Sequence, residues 1–326
     1  MERARWFEAR QKELLPVHYF HIVFTLPEEL RHLALKNKKT VYGILFRAAA
    51  ETLRQVARQN LGADIGFFGI LHTWGQNLLH HPHIHFVVPG GGLSSDRSRW
   101  ISVSERFFLP LEVLKIVFRG KFLDSLERAF NDGALFLSGS LAGLADPAQF
   151  KSLLQQATKY RWVVHVKPPF AGPEAVLKYL ARYTHRVAIS NARLISLRGR
   201  KLSFRWKDYR DGGRQKIMTL DVFEFIRRFL LHVLPKGFTR IRYYGFLAPR
   251  KRKESIELCR QLLNKEKGAD SVQESLPQRE EDPDSDKDDR DGELCRICKK
   301  GRLIRVETLD RLPAAANRTP ELRDTS

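Results

Sequence analysis

His83-Ile84-His85 sets the strongest constraint on this chain. The tripeptide opens a run, His83 to Val88, that reads as a β-strand stopped by Pro89-Gly-Gly-Gly92. On a strand, residues i and i+2 share a face. The two imidazoles therefore stand side by side while Ile84 turns away from them. Two imidazoles on one face can hold a single divalent metal ion. An apolar run, Ile65-Gly-Phe-Phe-Gly-Ile-Leu71, precedes the histidines. The two runs are expected to pair through a loop at 75–82, which places the histidines on a buried or half-buried sheet.

Further elements follow from periodicity and from breakers. Residues 1–14 read as a charged helix, and Tyr19 to Thr25 as a strand ended by Leu26-Pro27. Residues 28–60 and most of 104–158 carry apolar side chains spaced by threes and fours, the mark of amphipathic helices. Tyr160 to Val166 reads as a strand, broken by Lys167-Pro-Pro-Phe-Ala-Gly-Pro173. Pro173 suits a helix start, and a helix is expected from about 174 to 184. Three hairpin-like strands follow, Arg193–Ser196, Lys201–Trp206 and Arg214–Leu220, with Asp211-Gly-Gly213 as the turn between the last two. A helix over 221–234 and a strand over 239–245 complete the ordered part.

Charge narrows the partners. The chain carries a formal +20 and a pI near 10.1. Between Gly268 and Glu293 eleven acidic side chains stand against three basic ones, so the remainder carries +28. A field of that size favours a polyanion, nucleic acid first and an anionic membrane surface second. The same acidic, Pro- and Ser-containing stretch reads as a disordered linker over 266–294. It divides a region at 1–265 from a short basic tail at 295–326. Three cysteines make no disulfide framework. No signal core is visible at the start, and no run reaches the ~18 apolar residues of a membrane helix. The cytoplasm is the expected location.

The second site candidate is Tyr179 and Tyr183, in Lys178-Tyr-Leu-Ala-Arg-Tyr-Thr-His-Arg186. On a helix, i and i+4 share a face. Taken alone, such a pair is ordinary half-buried packing, and His-x-His alone is equally at home in a core. Together they describe a chemistry. A phenol with a pKa of about 10 needs nearby positive charge or a metal before it attacks phosphorus. Lys178, Arg182 and Arg186 flank the tyrosines and suit phosphate binding. Gln76 is a candidate third ligand beside His83 and His85, and His185 is its alternative. An imidazole and oxygen donor set suits Mg²⁺ or Mn²⁺, although imidazole also suits zinc.

At this point the chain resembles a known family. His83-Ile-His85 matches the HUH motif (U, a hydrophobic residue) of single-strand DNA nucleases. With Tyr179 and Tyr183 it resembles the two-tyrosine HUH transposases of rolling-circle insertion sequences. Longer blocks carry the resemblance from about residue 3 to 265. They include Leu15 to Pro27, His72-Thr-Trp-Gly-Gln76, Lys167-Pro-Pro-Phe170, Leu177 to Ser190, Phe204 to Tyr209 and Phe229 to Phe238. The resemblance implies an α+β fold, an HUH-endonuclease-like core whose central antiparallel sheet carries His-x-His, with the tyrosine helix packed across it. It implies a transposase that cleaves and rejoins single-stranded DNA at element ends through a 5′-phosphotyrosine, with a divalent metal and without ATP. No Gly-x-x-x-x-Gly-Lys-Ser/Thr loop is present, consistent with ATP-free chemistry or with a helicase supplied by the host. No small-molecule substrate and no membrane partner are implied.

Two departures shape the alternatives. Relatives carry a cysteine-rich zinc module before the Arg3-Ala-Arg-Trp6 region, and this chain starts just after it. That raises the expectation of a truncated remnant that binds DNA without cutting it. Cys295-Arg-Ile-Cys298 resembles half a zinc ribbon, with no second pair following. A third reading is a metallohydrolase built on His80, His81, His83 and His85, which lacks a nearby carboxylate base.

Overall fold

The computed structural model describes residues 8, 11–104, 109–167, 188–209 and 211–273, with side chains to 265. All of these lie in one compact unit, Met1–Glu274. The expected helix carrying Tyr179 and Tyr183, the Cys295/Cys298 pair and most of residues 1–14 fall outside the described residues.

The frame is a five-stranded sheet of Tyr19–Thr25 (β1), Phe67–Trp74 (β3), His80–Pro89 (β4), Val163–Lys167 (β7) and Ile241–Tyr244 (β11). The strand order is β11-β3-β4-β1-β7, antiparallel throughout, with β4 in the centre. The fold is thus α+β, with the histidine strand where the resemblance places it. Alternation decides what each face carries. Phe20, Ile22, Phe24, Ile84, Phe86 and Val164 point to one side and enter the main core.

Two long helices cover that side. Residues 28–60 do not form one helix: Arg31–Lys36 (α1) ends at Asn37, and Lys38–Leu61 (α2) begins after it. Asn37 acts as a clip, accepting from Phe136 N at 2.6 Å and donating to Leu33 O and Phe136 O. Helix α2 stops at Gly62, whose φ of 63° is left-handed and suits glycine. Leu111–Asn131 (α3) buries Leu114, Phe118, Phe122 and Leu126 at helical spacing. Pro147–Ala157 (α4) is capped by the Asp146 carboxylate, which accepts from Ala148 N at 3.0 Å. Gly69 makes room for the core: a Cβ there would lie 2.5 Å from the Phe86 ring across the ladder.

Two smaller sheets flank the frame. Ala63–Asp64 (β2), Gly91–Ser94 (β5) and Trp100–Ser102 (β6) form one. Leu194–Arg198 (β8), Lys201–Asp208 (β9) and Arg214–Asp221 (β10) form the other, in the order β10-β9-β8. The expected turn holds, with Gly212 and Gly213 both at positive φ. Val222–Leu230 (α5) starts from the Asp221 cap and stops short of residue 234. Arg252–Gln273 (α6) runs past residue 265. The first residues of the expected 266–294 linker therefore continue this helix. Among the described residues no helix is long and apolar enough to cross a membrane.

Candidate metal centre

The face of the sheet opposite the helices is built from the other half of each strand. At one end it is apolar, with Tyr19, Phe68, Ile70 and Val87 in a small cluster. At the other end stand imidazoles. His83 and His85 share the face as expected, and His72 of β3 joins them, paired directly with His83 in the ladder. Ligand nitrogens of His72, His83 and His85 lie within 4.8 Å of one another.

An irregularity in the ladder sorts the neighbouring histidines. His72 pairs with His83 but Trp74 pairs with His80, so β4 holds one extra residue there. Pro82, which has no amide hydrogen to give the ladder, lies in that stretch. His81 lines the same cavity as the cluster. His80 turns to the helical side, where its Nε2 lies 2.6 Å from the Tyr42 hydroxyl. The four clustered histidines of β4 therefore do not form one site. His80 belongs to the core.

Hydrogen bonds fix the ring nitrogens. His83 Nδ1 donates to His81 O at 2.7 Å, which leaves Nε2 as its lone-pair nitrogen. His85 Nδ1 lies 2.6 Å from Nε2 of His21, a fully buried β1 residue stacked on it. For His85 Nε2 to present a lone pair, His85 Nδ1 must be the donor in this bond and His21 Nε2 the acceptor. Such partners orient a ligating imidazole and set its tautomer. Burial lowers the His83 pKa to about 3 and that of His21 to about 4. His72 and His85 are also held well below the ordinary histidine range, by burial first and by neighbouring imidazoles second. Neutral imidazole is the form that binds a metal. Three neutral nitrogen donors on one rigid sheet face fit a divalent ion.

The cluster forms the floor of a cavity of about 690 Å³. Its wall carries Gln76, Arg31, Lys167, Trp206, Lys207 and Tyr209. Gln76 thus stands at the site, on the loop joining β3 to β4. Three bonds tie that loop to α5 and to the residues that flank β8 and α5: Arg193 donates to Gln76 O at 2.5 Å, Arg228 to Asn77 O at 3.2 Å, and His232 to Leu78 O at 3.0 Å. Leu78 is fully buried at φ 62°, a strained conformation for leucine that surrounding contacts must hold. Tyr179, Tyr183, Lys178, Arg182, Arg186 and His185 lie outside the described residues.

Sequence reasoning missed His72 and His21. The signals were their strand positions: both fall opposite apolar neighbours that face the core, so both must share the face of His83 and His85.

With this geometry, comparison with known proteins is decisive. A family described as "Putative transposase" matches residues 66–255, which contain all three clustered histidines. The chain belongs to this transposase family. It is 52% identical over 312 residues to "Putative transposase y4qJ" of Sinorhizobium fredii, covering 95% of this chain and 78% of that protein. It is 30% identical over 275 residues to "Transposase for insertion sequence element IS801" of Pseudomonas savastanoi pv. phaseolicola. That alignment covers 80% of this chain and 60% of the relative, so the chain spans less than two thirds of that protein's length.

Proposed function

We propose that this transposase cuts and rejoins single-stranded DNA at the ends of an insertion sequence. The observation that carries the reading is the triad of buried His72, half-buried His83 and buried His85 at the floor of a cavity walled by basic and aromatic side chains. Mg²⁺ or Mn²⁺ held by these three imidazoles, with Gln76 as a further oxygen donor, would supply the charge that polarises the scissile phosphate.

The chain's own groups do the rest. The hydroxyl oxygen of Tyr179 or Tyr183 attacks phosphorus in line. A Tyr–O–P bond forms and the bond from phosphorus to the 3′ oxygen breaks. The tyrosine proton is lost, and the leaving oxygen gains one to become a 3′-hydroxyl. The product is a 5′-phosphotyrosine, which keeps the energy of the phosphodiester, so attack by a 3′-hydroxyl rejoins the strand without ATP. The second tyrosine makes a second cut while the first end stays attached. Lys178, Arg182 and Arg186 bind phosphate oxygens beside the nucleophiles. A host helicase supplies the single strand. The Pseudomonas relative, named for an insertion sequence element, supports this reading.

The test is incubation with single-stranded DNA bearing element ends plus Mg²⁺ or Mn²⁺. A covalent protein–DNA adduct is expected, and its complete loss in Tyr179→Phe/Tyr183→Phe. Adduct persisting in that variant shows that the nucleophile lies elsewhere.

A further inference from the structure

The flanking sheet has two faces of different chemistry. On β9, Leu202, Phe204 and Trp206 pack inward against Met218 and Leu220 of β10 and Phe225 and Phe229 of α5. Lys201, Arg205 and Lys207 alternate with them and are exposed. The β8 register sets Arg198 opposite Lys201, on the same outer face. Four cations thus stand on this face against one carboxylate, Asp221, which lies 3.4 Å from Arg200. Arg198, Lys201 and Arg205 have no ion-pair partner among the described residues.

Lys207 and Arg205 are neighbours on this face, ~6.6 Å apart, comparable to the step between phosphates of an extended nucleic-acid strand. Ser203 separates Arg205 from Lys201, ~13 Å further on, and Arg198 stands beside Lys201 on the next strand. The adjoining outer positions of β10 are the uncharged Gln215, Ile217 and Thr219, and Asp221 opposite Lys201. The cationic strip is narrow and suits one backbone. The strip is also continuous with the metal cavity, because Lys207 and Tyr209 line both. Lys207 Nζ lies 5.5 Å above the Tyr209 ring, and Tyr209 is 70% exposed at the cavity mouth.

We propose that the outer face of this sheet is the track for the single strand running out of the metal cavity. Phosphates sit on Lys207 and Arg205 and, further along, on Lys201 and Arg198, and the base nearest the cavity stacks on Tyr209. The track rests on the reading that the cavity takes single-stranded DNA.

The experiment is fluorescence anisotropy with labelled oligothymidines of about six and about twenty nucleotides, bracketing typical single-strand site sizes. The proteins are wild type, Arg198→Ala/Lys201→Ala/Arg205→Ala, and a control, Lys36→Ala/Lys39→Ala/Lys151→Ala, exposed on the helical layer. The track variant is expected to bind the long strand about tenfold more weakly. Its slope of log K against log salt should be shallower by about 2, from three lost phosphate contacts at ~0.7 each. Short-strand binding and control-variant binding should stay at wild-type values. An unchanged slope on the long strand overturns the track. So does an equal loss in the control variant. Adduct formation on single-stranded DNA bearing element ends separates the two proposals: adduct by the track variant with wild-type long-strand binding sinks the track alone. Absence of adduct in wild type, with the track variant still impaired on long strands, sinks the cutting reading alone.

Discussion

His80 and His83 lie three residues apart on one strand, are both largely dehydrated, and do opposite things. His80 sits on the helical side, bonded to Tyr42, inside a core of aromatic and aliphatic side chains. His83 sits on the bare side, bonded to a carbonyl of its own strand, with a ring nitrogen left over. Burial alone does not separate a packing histidine from a ligand. What separates them is the face of the sheet: His80 Nδ1 is also without a hydrogen-bond partner but sits in the core, whereas His83 shares its face with His72 and His85.

The sharpest way to break that comparison is to remove the outward pair. His83→Ala/His85→Ala is expected to abolish Mn²⁺ binding, measured by calorimetry, and adduct formation with it. Retained tight Mn²⁺ binding would place the metal elsewhere. A smaller effect is expected from His21→Ala, which leaves all three ligands but frees His85 to turn. Mn²⁺ affinity should fall ~10–100-fold, the usual range for losing a residue that orients a metal-binding histidine. An unchanged affinity would make His21 simple packing.

The smallest effect concerns His80 and is read in stability against pH. Burial lowers its folded pKa to about 3, with the charges of His232 and Lys38 adding to the shift. The unfolded chain therefore takes up the proton first, near pH ~6.5. Stability is full above that pH and drains away as pH falls from ~6.5 toward 3, at up to ~1.4 kcal/mol per pH unit for this one group. In urea melts of the metal-free protein, His80→Leu should flatten the slope between pH 6 and 4 by about that amount. An unaltered slope would mean that His80 is already protonated in the folded protein.

Strand identity was legible because alternation is local. Tyr19–Thr25 was read with its observed ends, and β3 and β4 paired as expected. The break at Asn37 was not legible, because its reason is a bond to Phe136 across 99 residues. His72 escaped for a related cause. It stands beside Gln76 in one sequence block, and an amide oxygen looked like the natural complement to two imidazoles. Only the ladder register, shortened by the extra residue near Pro82, brings His72 face to face with His83. His21 is a third case: its importance lies in touching His85, 64 residues away.

The loop between β3 and β4 ties the two halves of the chain together at the site. The histidine floor comes from residues 21–85, yet the loop beside it is held by Arg193, Arg228 and His232, at separations of 117, 151 and 154 residues. Contacts so distant in sequence carry the larger loop-closure cost. The floor is synthesised before the residues that hold this loop. Leu78, buried at positive φ, packs with Ala188 and Phe204 from the second half of the protein.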